Sequence, residues 1–169
     1  MIEIKECWDR GLGFEERAMD VFRENGYSVK KATPEEDKRQ HIDFWATGKD
    51  GAQYSFDAKA MRSLVRGGPL QDSWVVVEWK NVIGNKGSIY GVQDFFVFER
   101  TNSLLLVRRS GLLKFAQERV NFNKQVHRSD YALYAVYTRK GRQDLISQIN
   151  LDDLPSEITK SLYSNQSTK

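Results

Sequence analysis

The chain has few of the residues that build disulfide frameworks and zinc sites. Its 169 residues include one cysteine, Cys7, and two histidines, His41 and His127, which lie far apart. A single cysteine cannot form an internal disulfide, which fits a reducing compartment such as the cytoplasm. Structural zinc sites need several Cys and His ligands. The composition therefore excludes a cysteine-rich zinc site, and the distant histidines give no support to another kind.

Long apolar segments are also missing. No apolar run approaches the roughly 18 residues that a membrane-spanning helix needs. The segment Met1–Glu6 carries charges where a signal peptide would have an apolar region. Hydrophobic residues make up 40% of the chain, enough for a packed core in one domain. We therefore expect a cytoplasmic protein without a membrane partner, with a single domain over residues 1–169, a core over about residues 14–150 and a flexible tail over residues 161–169.

The net charge of +3 is small, but the charge is unevenly distributed. Between Arg100 and Arg128 there are seven Lys and Arg residues and one acid, Glu118. Such a basic segment favours a polyanionic partner. A solvated basic face is the other interpretation of the same pattern.

Two alternating segments predict a β-hairpin in the first half of the chain. Polar and apolar residues alternate along His41–Trp45 and again along Tyr54–Lys59. Thr47–Gly51 lies between them and has the glycines and polar residues of a turn.

In a register symmetric about this turn, acidic side chains face each other. Asp43 would lie opposite Asp57, and His41 opposite Lys59. Directly opposed side chains of an antiparallel pair are about 5 Å apart at Cβ. Two carboxylates that close repel each other, and a divalent cation with oxygen ligands would compensate their charge. Lys59 follows Asp57 by two residues and points to the same side of the strand.

This arrangement resembles the PD-(D/E)XK nuclease superfamily, the restriction-endonuclease-like phosphodiesterases. Asp43 matches the first acid of the family pattern, and Asp57-Ala58-Lys59 matches its second part. Ile42 stands where the name-giving proline would be. The resemblance covers roughly residues 14–140. It implies an α/β (α+β) fold with a restriction-endonuclease-like core, a central mixed β-sheet flanked by helices.

The resemblance also implies a metal-dependent DNA endonuclease. Asp43, Asp57 and the carbonyl of Ala58 would hold Mg²⁺, for which Mn²⁺ can substitute. Lys59 would orient or deprotonate the attacking water, or stabilise the transition state.

The first helix of the superfamily often supplies a glutamate to the metal site. Here Phe14–Asn25 predicts a helix that stops at Gly26. Glu15 falls at the edge of the apolar face and Glu16 points away, so Glu15 is the preferred candidate while Glu16 stays open. Both could equally be surface acids near a helix N-terminus.

A second tripeptide competes with the first. Trp74–Lys80 predicts a strand, and within it Glu78-Trp79-Lys80 is an E-x-K sequence. In that alignment Asp57 would be the first acid. We prefer the first alignment because the acids of the 43–59 hairpin are paired across one short turn, and Glu78 is left as an accessory acid.

The remaining pattern predicts further strands, a helix and loops. The strands are Tyr27–Lys31, Phe95–Arg100, Leu104–Arg109, Tyr131–Arg139 and Asp144–Ile149. A helix over Gly111–Val120 would be capped by Ser110. The loops are 32–40, 61–72 and 81–91. Basic and amide side chains in or beside these segments are the candidate DNA contacts: Arg62, Arg66, Lys80, Asn81, Lys86, Arg108 and Arg109.

A small single-domain nuclease has little surface for reading a long sequence. We therefore expect structure-directed or weakly sequence-specific cleavage, as in junction, flap or phage and host DNA processing, with a restriction enzyme and a homodimer left open. Two other classes compete. One is a catalytically inactive nucleic-acid-binding module with the same fold. The other is a structural protein whose acids and lysine form ordinary cross-strand ion pairs.

Overall fold

The computed structural model describes residues 2–165, with side chains from Arg10 onward. In chain order its helices are α1 (Ile2–Glu24), α2 (Pro34–Gln40) and α3 (Arg109–Arg119). Its strands are β1 (Ser28–Lys31), β2 (Phe44–Thr47), β3 (Gln53–Lys59), β4 (Arg62–Ser63), β5 (Leu70–Gln71), β6 (Trp74–Lys80), β7 (Phe95–Glu99), β8 (Leu104–Arg108), β9 (Asn121–Val126), β10 (Ala135–Tyr137), β11 (Leu145–Asn150) and β12 (Thr159–Leu162). The protein is thus a mixed α/β structure, and no helix among the described residues is long and apolar enough to cross a membrane.

The chain folds into two compact units. The first unit comprises Met1–Met61, Val92–Arg108 and Thr159–Lys169. The second unit comprises Arg62–Gly91 and Arg109–Ile158. Each unit has its own main sheet, with six strands in the first and four in the second.

The sheet of the first unit is mixed, as the sequence predicted. Its strand order is β1-β2-β3-β7-β8-β12. The pair β3–β7 is parallel, and every other neighbouring pair is antiparallel. The predicted hairpin of β2 and β3 therefore lies inside the sheet, with β1 on one side and β7 on the other.

Helix α1 packs on this sheet through phenylalanine rings. Phe14, Ala18 and Phe22 recur at helical spacing and are each at most 1% exposed. The ring of Phe22 lies 5.2 Å from that of Phe44 and 4.7 Å from that of Phe56, centroid to centroid. The helix is longer than predicted at its N-terminal end, because residues 2–13 contain no proline that would stop it and their glycines only weaken it.

The predicted polar loop over residues 32–40 is wrong, because this segment forms α2. The Thr33 hydroxyl accepts a hydrogen bond from the Glu36 N–H at 3.2 Å, and the Glu36 carboxylate accepts one from the Thr33 N–H at 2.8 Å. Pro34 occupies the first turn, where its missing N–H costs nothing. The capping-box motif Thr33-Pro34-Glu35-Glu36 predicts a helix start here, whereas the polar composition of the segment had predicted a loop.

His41 is not a strand residue, which corrects its predicted position opposite Lys59. It caps the C-terminal end of α2 in the left-handed region, with φ 56°. Its N–H donates to the carbonyl of Asp37 at 3.1 Å. Strand β2 begins only at Phe44, so the chain turns at His41 to enter the sheet.

The sheet of the second unit has the order β6-β11-β10-β9. The predicted strand Trp74–Lys80 is confirmed with the same bounds. Strand β9 has no counterpart among the predictions, because its side chains are polar and largely exposed and show no apolar alternation. The predicted strand over 131–139 shortens to β10, since Tyr134 adopts a positive φ of 51°.

Two predicted boundaries also change. Ser110 does not cap α3, which already begins at Arg109. The predicted flexible tail over 161–169 is wrong at its start, because residues 161 and 162 belong to β12. Beyond that strand, the Ser164 hydroxyl and the Asn165 N–H donate to the Glu24 carboxylate at 2.9 and 3.0 Å. Residues 166–169 lie outside the described part of the chain.

We predict that Phe22→Ala lowers the free energy of unfolding by about 3–5 kcal/mol, because it removes a buried ring that contacts both Phe44 and Phe56. Leu12→Ala is the control on the same helix, since Leu12 is 50% exposed, and it should change stability by no more than about 0.5 kcal/mol. Urea denaturation followed by circular dichroism measures both. Equal effects of the two substitutions would contradict the packing described for α1.

Candidate active site

The β2–β3 pairing brings the two predicted acids together. Phe44 lies opposite Phe56 at the end of this antiparallel pairing, and Asp43 and Asp57 are the residues just beyond that pair. Asp43 itself precedes β2, and its N–H donates to the Phe56 carbonyl at 2.8 Å. Its Oδ2 accepts a hydrogen bond from the Ala58 N–H at 2.7 Å. Backbone groups of β3 therefore hold Asp43 at the end of the hairpin.

Asp57 is a buried carboxylate with one paired oxygen. The residue is 3% exposed. Its Oδ1 lies 2.7 Å from the Lys59 Nζ. Its Oδ2 is buried and receives no hydrogen bond from any N–H or O–H donor fixed in residues 2–165. Burial raises the pKa of this carboxyl group, and the Lys59 ammonium opposes that rise.

Both burial and the neighbouring Asp57 affect the pKa of Asp43. Burial and the negative charge of Asp57 raise the pKa of Asp43 to about 7, while the Lys59 ammonium and the hydrogen bond from Ala58 act in the opposite direction. A carboxyl group with this pKa carries its proton for part of the time at neutral pH. The pair can therefore hold either a proton or a cation in place of a second full negative charge.

The structure brings Glu15, and not Glu16, into this electrostatic environment. Burial and the charge of Asp43 raise the pKa of Glu15 to about 7, with Lys31 and Lys59 acting against them. Glu16 instead points to solvent, where its Oε1 lies 3.5 Å from the Lys31 Nζ. The predicted preference for Glu15 therefore agrees with where the helix places the two side chains.

Sequence reasoning missed one acid, Asp37. It lies in α2, is exposed, and its charge raises the pKa of Glu15, Asp43 and Asp57. Thr33-Pro34-Glu35-Glu36 is the signal that could have found it, because a capping box there predicts α2. The charge of Asp37 thus acts on three other acids at this end of the first unit.

The competing tripeptide lies in the second unit. The Glu78 Oε1 accepts a hydrogen bond from the Ser88 N–H at 3.2 Å, which gives Glu78 a local structural role. Asp57 is on the six-stranded sheet and Glu78 on the four-stranded one. Asp57 and Glu78, the two acids of the second alignment, are therefore not on paired strands. Asp43 and Asp57, the acids of the first alignment, lie at the end of the β2–β3 pair.

Most of the predicted DNA-binding cations are exposed. Arg62 and Arg66 belong to the small hairpin of β4 and β5. Lys80 and Lys86 are paired by an isolated antiparallel β-bridge. Arg108 is exposed, with its guanidinium 5.0 Å from the centroid of the Phe95 ring. Cations in such positions are accessible to phosphate groups.

Two of the predicted contacts also make hydrogen bonds within the protein. The Asn81 Oδ1 accepts hydrogen bonds from the N–H groups of Ile83 and Asn85, at 3.1 and 2.9 Å, and so holds the turn after β6. The Arg109 Nη1 donates to the Ile89 carbonyl at 3.2 Å.

Within residues 10–165, whose side chains the structure describes, no three His, Cys, Asp or Glu side chains lie close enough together to form a metal-binding group. Asp43 and Asp57 therefore supply two carboxylates as they stand. A third protein ligand would have to be a backbone oxygen, such as that of Ala58, or a side chain that moves toward them.

Comparisons with known proteins return no match: no family model fits the chain, and no curated protein or solved structure is significantly similar to it. The resemblance to PD-(D/E)XK nucleases is carried by Asp43, Asp57, Lys59 and the elements around them.

We predict that the metal-free protein loses stability as the pH rises. The pKa values of Glu15 and Asp43 are raised from 4.5 and 3.8 to about 7, so the folded state binds protons that the unfolded state has released. The stabilisation is complete below about pH 4 and disappears as the pH passes 7. Urea unfolding should show a loss on the order of 2 kcal/mol between about pH 5 and 8.

The double variant Glu15→Gln, Asp43→Asn should flatten this dependence, because amides do not ionise. Glu16→Gln, one residue along the same helix, is the matched control and should keep it. A wild-type protein with the same unfolding free energy at both pH values would contradict the burial of these carboxyl groups.

Proposed function

We propose that this protein is a Mg²⁺-dependent DNA endonuclease of the PD-(D/E)XK type, with Asp43, Asp57 and Lys59 at its active site. One observation carries the proposal. Asp57 is buried beside a second carboxyl group, and its Oδ2 has no hydrogen-bond donor in the described structure. An unsatisfied buried carboxylate oxygen is costly, and a bound cation would offset that cost.

An ordinary ion pair explains less of this arrangement. It would account for Lys59 and Asp57. It would not account for Asp43 at the end of the same strand pair, or for Glu15, whose pKa the charge of Asp43 raises. Titratable groups with strongly shifted pKa values cluster at functional sites. Here Asp43 and Glu15 both have raised pKa values, and burial is the first cause in each case.

The donor atoms fit Mg²⁺. Asp43 and Asp57 offer carboxylate oxygens and Ala58 a backbone oxygen, and Mg²⁺ binds through one or two carboxylates while keeping several of its waters. The hydrogen bond from the Ala58 N–H fixes one oxygen of Asp43. When bound, Mg²⁺ or Mn²⁺ would supply a Lewis acid for a phosphoryl oxygen and a more acidic water.

Lys59 acts in this proposal as a cation. Its Nζ is paired with Asp57 Oδ1, and its side chain is 42% exposed, so that the ammonium group remains accessible to a phosphate. Negative charge develops on the phosphoryl oxygens during the displacement, and a fixed cation stabilises it. We therefore favour charge stabilisation as the role of Lys59. To act as a base, Lys59 would first have to lose the proton that its contact with Asp57 stabilises.

Glu15 is the residue suited to hold a proton. With a pKa of about 7, it is partly ionised near neutral pH, where a general base works best. We assign to it the proton released by the attacking water, either directly or through one intervening water.

The first unit is the proposed restriction-endonuclease-like core. Helix α1 precedes the strands β1, β2 and β3, which run antiparallel, and the D-x-K tripeptide lies at the end of β3. The second unit carries twelve Lys and Arg against eight Asp and Glu, a formal net charge of +4, which leaves −1 for the first unit. This excess of positive charge supports a nucleic-acid contact on the second unit.

A catalytically inactive nucleic-acid-binding module is the second candidate. The lack of a three-ligand metal group in the described residues favours it. It predicts nucleic-acid binding without a need for Mg²⁺ or Mn²⁺, whereas the nuclease requires metal binding at Asp43 and Asp57.

We predict Mg²⁺-dependent cleavage that Asp57→Asn and Lys59→Ala reduce by about 10²- to 10⁴-fold. Glu78→Gln is the matched control from the competing tripeptide and should keep most of the activity. The assay is a panel of linear, nicked, flapped, single-stranded and four-way-junction DNA with Mg²⁺ or Mn²⁺, and circular dichroism checks that each variant folds.

Calorimetric titration separates the two candidates. Mg²⁺ or Mn²⁺ binding should vanish in Asp43→Ala and Asp57→Ala and persist in Lys59→Ala. Activity in EDTA, or loss of cleavage in Glu78→Gln but not in Asp57→Asn, would contradict the assigned site.

We also predict that Arg62→Ala and Lys86→Ala weaken duplex binding about equally for all sequences. Each lost phosphate contact should reduce the slope of log K against log salt by about one unit. Lys49→Ala, in the turn between β2 and β3, is the control and should leave the slope unchanged. Fluorescence anisotropy at several salt concentrations measures it, and an unchanged slope in both test variants would place the DNA elsewhere.

A further inference from the structure

Three aromatic rings form a row in the second unit. The buried indole of Trp79 lies between the rings of Tyr90 and Phe122, at centroid distances of 6.2 and 4.9 Å. Trp79 is 3% exposed, whereas Tyr90 is 39% and Phe122 46% exposed. The row therefore has a buried centre and two ends that face solvent.

The buried centre is fixed in place. The Trp79 Nε1 donates to the Ser147 hydroxyl at 2.9 Å in the interior of the sheet. Trp79 lies on β6 and Phe122 on β9, the two edge strands of this sheet. The two rings therefore meet across the face of this sheet, from one edge strand to the other.

The loop that carries Tyr90 is also held closely. The Gly87 N–H donates to the Trp79 carbonyl at 3.0 Å. A Cβ at Gly87 would lie 2.1 Å from the Glu78 carbonyl oxygen, so only glycine permits this approach. The exposed ring of Tyr90 is thus presented by a restrained turn.

Cations and amides surround the two exposed rings. The Lys86 Nζ lies 6.0 Å from the centroid of the Tyr90 ring. Lys124 follows Phe122 by two residues on β9 and is exposed. Asn121 and Asn123, on either side of Phe122, are exposed as well. Apolar rings with flanking lysines match a chain of bases joined by phosphates.

We propose that Tyr90, Phe122, Lys86 and Lys124 form an aromatic platform that binds single-stranded DNA. Bases stack on the two exposed rings, and the lysines contact the phosphates. The +4 charge of the second unit supports an anionic occupant. Bases of a duplex are stacked on one another and cannot offer their faces to protein rings. The platform therefore selects single strands, which narrows the substrate of the proposed nuclease to DNA with a single-stranded segment and rests on that function.

The test is anisotropy of a labelled oligo(dT) of about 12 nucleotides, in EDTA so that no cleavage occurs. Tyr90→Ala and Phe122→Ala should each raise the dissociation constant by about tenfold. Tyr90→Phe, which keeps the ring, should restore binding. Tyr163→Ala in the first unit is the matched control, since Tyr163 is 61% exposed, and it should bind as the wild type does.

A duplex of the same length should show no loss in the two ring variants. Equal losses for single strand and duplex, or no loss for either, would overturn the platform. Tighter binding of oligo(U) than of oligo(dT) would overturn the assignment to DNA. A dimer that Phe122→Ala dissociates, measured by light scattering, would show instead that a second copy of the chain covers the rings.

Cleavage by the wild-type protein is measured separately with Mg²⁺. If the wild-type protein cleaves DNA and the ring variants bind oligo(dT) as the wild type does, only the platform is overturned. Absent cleavage with ring-dependent binding of oligo(dT) overturns only the nuclease and leaves the platform in place.

Discussion

The position of the Asp57 carboxylate depends on the packing of its neighbour, Phe56. The ring of Phe56 lies against Phe22 in the core beneath α1, so Asp57 must lie on the other face of β3. A slip of one residue would remove Phe56 from this core and place Asp57 among the apolar side chains beneath α1. The apolar core thus fixes where the charge lies, and Lys59 compensates only one of its two oxygens. The proposed chemistry follows from this incomplete compensation.

The distribution of charge between the two units is consistent with separate tasks. In the first unit burial and neighbouring negative charges raise the pKa values of Glu15, Asp43 and Asp57. The second unit has the excess of Lys and Arg. In the proposed function the carboxylates would hold the metal ion and Lys and Arg side chains would contact phosphate groups, because a cluster of carboxylates alone would repel phosphate.

The sequence predicted what local alternation and turn residues determine. The turn at Thr47–Gly51 and the alternating residues predicted the pairing of β2 with β3, and Trp74–Lys80 was predicted to the residue. Strand β9 could not be found, because its polar residues become a strand only by pairing with β10. Asp37 was missed because the segment that contains it was predicted as a loop, and its position near the other acids depends on α2. No change in composition marks where the chain leaves the first unit after Met61, and only tertiary contacts reveal it.

Ile42 stands where the proposed PD-(D/E)XK assignment would place a proline. A proline there would restrict the backbone before Asp43 through its fixed φ. In this chain Ile42 is 1% exposed, and the backbone of Asp43 is held on both sides. Its N–H donates to the Phe56 carbonyl at 2.8 Å, and its own carbonyl accepts from the Ala32 N–H at 2.9 Å. Burial and two hydrogen bonds supply the restraint that the ring would give, so the loss of proline does not free the carboxylate on which the proposed site depends.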